Sequence, residues 1–154
     1  MTHSSRLIIP VLLTLGLLLL PALALATDHS ERGRATLDVI TGGDTENRLK
    51  SLTEFAPDMA DWITNFAYGD VVSRPQLALP TRELATVAAL TALGNAAPQL
   101  RAHIHGALNA GCTPRDIIEV IMQMAVYAGF PASLNGLRAA AEVFEERQIG
   151  PPSN

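Results

Sequence analysis

Residues Thr81–Phe144 read TRELATVAALTALGNAAPQLRAHIHGALNAGCTPRDIIEVIMQMAVYAGFPASLNGLRAAAEVF, and their punctuation decides the fold. Thr81 is a capping residue ahead of a helix over Arg82–Gly94, with Leu84, Val87, Ala88 and Thr91 at helical spacing. Pro98 opens a second helix that runs to Ala110 and stops at Gly111. Thr113-Pro114-Arg115-Asp116 combines a cap, a proline at the first position and an acid in the first turn. The helix it starts reaches Ala128 and is apolar on nearly all sides, which predicts a central or subunit-interface position. Gly129 ends it, and Pro131 starts a last helix to about Arg147.

Working outward, the pattern weakens but stays helical. Met59, Trp62, Ile63 and Phe66 form one stripe of a helix over Asp58–Tyr68 that follows Pro57 and stops at Gly69. Val71–Leu79 is a linker broken by prolines. Leu49, Leu52 and Phe55 predict a short amphipathic helix over Thr45–Phe55. A short, loosely held helix is expected within Glu31–Ile40, inside a flexible segment 27–43. No stretch alternates with period two, so the expected fold is all-α: a compact bundle of about six helices over residues 44–147, with a polar tail at 148–154.

Residues 1–26 have the plan of a secretory signal peptide. A single basic residue, Arg6, precedes an apolar run over Leu7–Leu20, and the segment ends in ALALA with cleavage expected after Ala26. Export to a periplasm or the medium follows; an N-terminal membrane anchor is the alternative. Pro10 and Pro21 bracket a run shorter than the ~20 residues a span prefers. Without the leader, 128 residues remain, enough for one domain, with ten basic against fifteen acidic residues and a net charge of −5. A mildly acidic chain with no basic run excludes nucleic-acid partners, and no membrane contact is expected after cleavage. The one cysteine, Cys112, cannot form an internal disulfide or a Cys-x-x-Cys pair; it is read as a small apolar filler beside a helix start.

Four ionisable residues stand in or near apolar helical surroundings: Glu83, Arg101, His103 and His105. His103 and His105, two apart on a helix, point about 200° from one another and cannot share a small site. His103 lies three residues before Gly106 and four before Ala107, whose small size leaves room for a ligand or a close helix. It suits proton transfer near neutral pH, or else a surface hydrogen bond to a neighbour. Glu83 suits a first helical turn with or without chemistry. Arg82 and Arg101 suit a carboxylate ligand or pairing with acids. No metal-ligand spacing, phosphate loop or serine-hydrolase elbow occurs, so neither metal nor cofactor is expected.

The order FAYGDVVSRPQLALPTRELATVAALTALG, QLRAHIHGALNAGCTPRDIIEVIMQMAVYAGFPASLNGL and AAAEVFEE resembles the carboxymuconolactone decarboxylase family over roughly Gly33–Arg147, with TREL, H-x-x-GALNAG and VYAGFPA as its most specific motifs. The resemblance implies an alkylhydroperoxidase D-like bundle that assembles as a homotrimer or homohexamer. Peroxidase relatives carry Cys-x-x-Cys shortly before the His, with an upstream Glu; Glu83 and His103 match that Glu and His. The cysteine segment reads Gly94-Asn95-Ala96-Ala97-Pro98-Gln99 here, so peroxiredoxin-type activity lacks its thiols.

The decarboxylase branch also lacks them and resembles this chain more closely. Its reaction, loss of CO₂ from 4-carboxymuconolactone, implies His103 in proton transfer and Glu83 orienting it. It also implies Arg101, Arg82 or His105 holding a small carboxylated, lactone-like substrate, without a cofactor. That branch works in the cytoplasm, whereas the leader implies export, which leaves the substrate open. A non-catalytic oligomeric binding module that kept the fold is the remaining alternative. It differs from the enzyme in whether Glu83 and His103 converge on a pocket.

Overall fold

A computed structural model describes residues 28–150; the expected leader, its cleavage site and residues 151–154 lie outside the described residues. Seven α-helices and one π-helical segment follow in order, with no strand among the described residues: α1 (28–41), α2 (Thr45–Phe55), α3 (Pro57–Asp61), which runs straight into the π-helical segment Trp62–Val72, then α4 (Leu79–Leu93), α5 (Ala97–Asn109), α6 (Pro114–Ala128) and α7 (Phe130–Glu146).

Helices α4–α7 form the bundle that holds the core. Val87, Ile104, Ile117, Ile121 and Val143 are its fully buried aliphatic side chains, each contributing about 1.5–3 kcal/mol on transfer from water. The α6 start is the cap its sequence predicts. The Asp116 N–H donates to Thr113 Oγ1 at 3.1 Å, and the Thr113 N–H returns a bond to Asp116 Oδ2 at 2.9 Å. Gly94 (φ 71°) and Gly129 (φ 88°) end α4 and α6 in backbone that a side chain disfavours.

Three local expectations need correction. Helix α4 begins two residues before Thr81, at Leu79. Proline is harmless in a first turn because its missing N–H would have no intrahelical partner there, so Pro80 lies inside the helix and Thr81 is not its cap.

The stripe helix does not stop at Gly69. It widens into the π-helical segment, and Gly69 is a buried close-approach residue instead: a Cβ there would lie 2.5 Å from the carbonyl oxygen of His29 on α1. Gly33 has the same role from the other side, since a Cβ on it would collide with the carbonyl oxygen of Thr64. The wider π turn also breaks the three-and-four register, so Ile63 turns inward while Trp62 and Phe66 stay exposed. Finally, α1 is longer and more closely packed than expected, with Leu37 and Ile40 buried.

On α6, Ile117 and Ile121 are central. Val126 and Tyr127 at its end, with Phe130 and Leu134 on α7, form an exposed apolar surface in which Val126 is 78% and Phe130 72% accessible.

Candidate active site

The buried residues of α4 are Glu83, Val87 and Thr91, one per turn. A carboxylate therefore occupies the first position of a core stripe, with only 1% of its surface accessible. Burying an acid without a partner costs several kcal/mol, so its partner defines the site. That partner is His103 on α5, whose Nδ1 lies 2.9 Å from Glu83 Oε2. Leu100, Ile104 and Ala107 turn α5 into the core and leave His103 at the edge of that face, a quarter exposed. Space for the carboxylate comes from Gly106, one turn on: a Cβ at Gly106 would sit 2.8 Å from Glu83 Oε2 and 2.6 Å from Ile40 Cγ2. The room expected above His103 is thus filled by the carboxylate and by α1.

With Glu83 accepting from Nδ1–H, the ring nitrogen left over is Nε2. His103 lines an open cavity of about 320 Å³ bordered by α1, α2, the π-helical segment and α5. Most of its wall is apolar: Leu37, Ile40, Leu49, Leu52 and Ile63. Its remaining polar groups are Thr41, Arg48, Tyr68 and Gln99. Burial, and then the nearby Glu83 charge, pushes the Tyr68 hydroxyl up to about 12, so at neutral pH it is a protonated hydrogen-bond donor.

The other expected ligands are engaged elsewhere. Arg101 and His105, one turn apart, face α7. Arg101 pairs with Glu142 and Glu146, and His105 Nε2 lies 3.1 Å from Glu146 Oε2. These bonds hold the Glu146 carboxyl below, and the Arg101 guanidinium above, their ordinary values. Arg82 donates from Nε to the Leu77 carbonyl at 3.1 Å and from Nη2 to the Arg74 carbonyl at 3.0 Å, tying down the loop before α4. None of the three lines the His103 cavity.

The 200° separation of positions 103 and 105 explains why one histidine meets Glu83 and the other α7. Cys112 is buried, donates to the Pro80 carbonyl at 3.3 Å, and has its thiol pushed up by burial, the opposite of a reactive thiolate. Among the described residues no three His, Cys, Asp or Glu side chains gather as a metal site.

Sequence reasoning missed Tyr68 and Arg48. Tyr68 lies inside the quoted FAYGDVV stretch, but its direction depends on the π-helical register. Arg48 carries no local signal at all.

Comparison with known proteins places this geometry in a family context. The model of the carboxymuconolactone decarboxylase family matches residues 57–142, a span that includes Tyr68, Glu83 and His103. The chain is 41% identical over 103 residues to a 4-carboxymuconolactone decarboxylase of Acinetobacter baylyi, covering 67% of this chain and 76% of that protein. It is 34% identical over 101 residues to a nitrosuccinic acid decarboxylase of Metarhizium robertsii, covering 65% and 69%. An uncharacterized 15.0 kDa protein of Paracoccus denitrificans is 34% identical over 99 residues, 64% of this chain and 74% of its own length.

Proposed function

The chain belongs to the carboxymuconolactone decarboxylase family, and we propose that it is a cofactor-free carboxy-lyase acting on a small carboxylated, lactone-like acid. The observation that carries the reading is the buried Glu83 held 2.9 Å from His103 on the wall of a mostly apolar cavity. Relatives named as decarboxylases of two different acids support the reaction class and leave the substrate open.

The chemistry runs as follows. The carbon–carboxylate bond breaks, CO₂ leaves, and the bond's electron pair moves into the conjugated carbonyl of the lactone. The apolar wall disfavours the localised charge of the leaving carboxylate relative to the spread charge that replaces it. Tyr68, still protonated, donates to the oxygen on which charge develops. His103, in its protonated form, delivers a proton from Nε2 to carbon and is reprotonated from solvent. Glu83 fixes the ring and balances its charge, as a positioning residue behind the proton donor. A dithiol peroxidase cycle would need a second thiol, and the chain has one cysteine.

The test is a decarboxylation assay against a panel of carboxylated lactones. His103→Gln, with its helical circular dichroism intact, is expected to lose about 10²–10⁴-fold in kcat. Undiminished turnover in that variant refutes the assignment.

The leader-like 1–26 segment supports export, and the exposed Val126–Leu134 surface supports a homotrimer or homohexamer. Cell fractionation of the full-length chain tests the first; light scattering, treated below, tests the second.

A further inference from the structure

We infer that Arg48 anchors a carboxylate that the substrate keeps, so that α2, rather than the bundle, positions the acid for reaction. This inference rests on the decarboxylase reading above.

Among the described residues, Arg48 is the one arginine lining the His103 cavity. Its ion pair with Asp44 is long: Nε lies 3.8 Å from Asp44 Oδ2, well beyond the ~2.7–2.9 Å of a charge-assisted hydrogen bond. The guanidinium therefore keeps the geometry to accept a planar carboxylate on its fork, unlike Arg101, which is taken by two glutamates, or Arg82, which is spent on two carbonyls. Around it, Leu37, Ile40, Leu49 and Leu52 offer an anion nothing; of the polar lining groups Thr41, Tyr68, Gln99, His103 and Arg48, the guanidinium is the one with a permanent positive charge to draw a carboxylate.

Which carboxylate Arg48 takes follows from the reaction. As CO₂ departs, negative charge leaves the scissile carboxylate. A guanidinium bound there would hold the ground state more tightly than the transition state and slow the step. A guanidinium on a retained carboxylate is neutral toward the chemistry and useful for orientation.

The test uses the full chain and needs no turnover. Binding of adipate and of dimethyl adipate, the same skeleton with both carboxylates masked, is measured by titration calorimetry at neutral pH and low salt. Wild type is expected to bind adipate about tenfold more tightly, the scale of one charge-assisted contact. Arg48→Met should bring adipate most of the way down to the diester's affinity while leaving the diester unchanged, which also shows that the cavity is still formed. Lys50→Met, the same charge change on an exposed position of the same helix, should leave both affinities alone.

Equal binding of the two probes by wild type, discrimination undiminished in Arg48→Met, or its loss in Lys50→Met overturns the inference. If no lactone acid is turned over but Arg48-dependent discrimination remains, the decarboxylase reading falls and the anchor stands. Where turnover is found, Arg48→Met should raise KM about tenfold, with any fall in kcat smaller than that rise. A fall in kcat at constant KM would place Arg48 on the reacting end instead and overturn the assignment.

Discussion

Gly106→Ala moves the Glu83–His103 pair while leaving both of its members in place. Gly106 sits inside α5, where replacing glycine by alanine ordinarily stabilises a helix by about 0.5–1 kcal/mol. Here the new methyl would stand 2.8 Å from Glu83 Oε2 and 2.6 Å from Ile40 Cγ2, against ordinary contact from 3.4 Å. Ordinary contact is restored when the carboxylate oxygen retreats by about 0.6 Å (3.4 − 2.8) and the methyl of Ile40 by about 0.8 Å (3.4 − 2.6). That same oxygen makes the 2.9 Å contact with His103, so a retreat of this size stretches the bond or drags the ring with it. Overpacking of one methyl costs about 1–3 kcal/mol, which outweighs the helix gain and leaves a net loss of about 1–2 kcal/mol. A misplacement of 1 Å costs about 10²-fold in rate, so the smaller shift here predicts a fall of about tenfold or more in kcat. Thermal denaturation by circular dichroism and steady-state decarboxylation on the best acid of the panel read the two effects separately. A variant with unchanged melting temperature and unchanged kcat would show that the Glu83 carboxylate does not lie under Gly106, and the site as described would fail.

Tyr68→Phe is expected to lower kcat about 10²-fold by removing one donor to the developing oxyanion. The chain has two tyrosines, so in a Tyr127→Phe background the tyrosinate absorbance reports Tyr68 alone and should rise near pH 12; a midpoint near 10 refutes its burial beside Glu83. Because its folded value is raised, Tyr68 contributes stability that is complete below pH 10 and is lost as pH climbs toward 12. Thr113→Ala should cost about 1 kcal/mol in chemical denaturation at neutral pH. The Thr113 hydroxyl and amide hold the Asp116 carboxyl below its ordinary 3.8, so that contribution is present above pH 3.8 and fades as pH falls through the lower folded value. A Thr113→Ala deficit that grows in acid contradicts this. Light scattering should find an oligomer at micromolar concentration, and Val126→Asp combined with Phe130→Ser should dissociate it; a wild-type monomer refutes the reading of that apolar surface.

The bundle was legible where its signals are local. Thr113, Pro114 and Asp116 contain the whole start of α6, because a capping box needs only residues three apart. Gly94 and Gly129 mark the ends of α4 and α6 for the same reason. Thr81 misled because its cap signal competes with Pro80, and the first turn of a helix tolerates proline without loss. Gly69 misled more deeply. A glycine that stops a helix and a glycine against which another backbone packs look identical in one dimension, and only α1 crossing at His29 distinguishes them.

The same division separates the two halves of the candidate site. Glu83 and His103 were visible as ionisable residues in apolar helical surroundings, and the family resemblance matched them as a pair. Arg101 and His105 carry the same anomaly with a different cause: they face the glutamates of α7, and a sequence gives no way to tell a cation aimed at an acid of its own chain from one aimed at a ligand. Arg48 stands on an ordinary amphipathic helix as an ordinary surface arginine. It enters the cavity only because Gly33 and Gly69 let α1 pack against the π-helical segment, which brings α1 and α2 together as one wall of the cavity beside His103. Glu83 and His103, the pair proposed for proton transfer, therefore lie within the family-matched span, and Arg48, the proposed carboxylate anchor, lies on a helix before it. A change of substrate in this architecture would need no change at Glu83 or His103. Substitutions at Arg48, Leu49 and Leu52 would alter the wall while the 2.9 Å contact behind it stayed as it is.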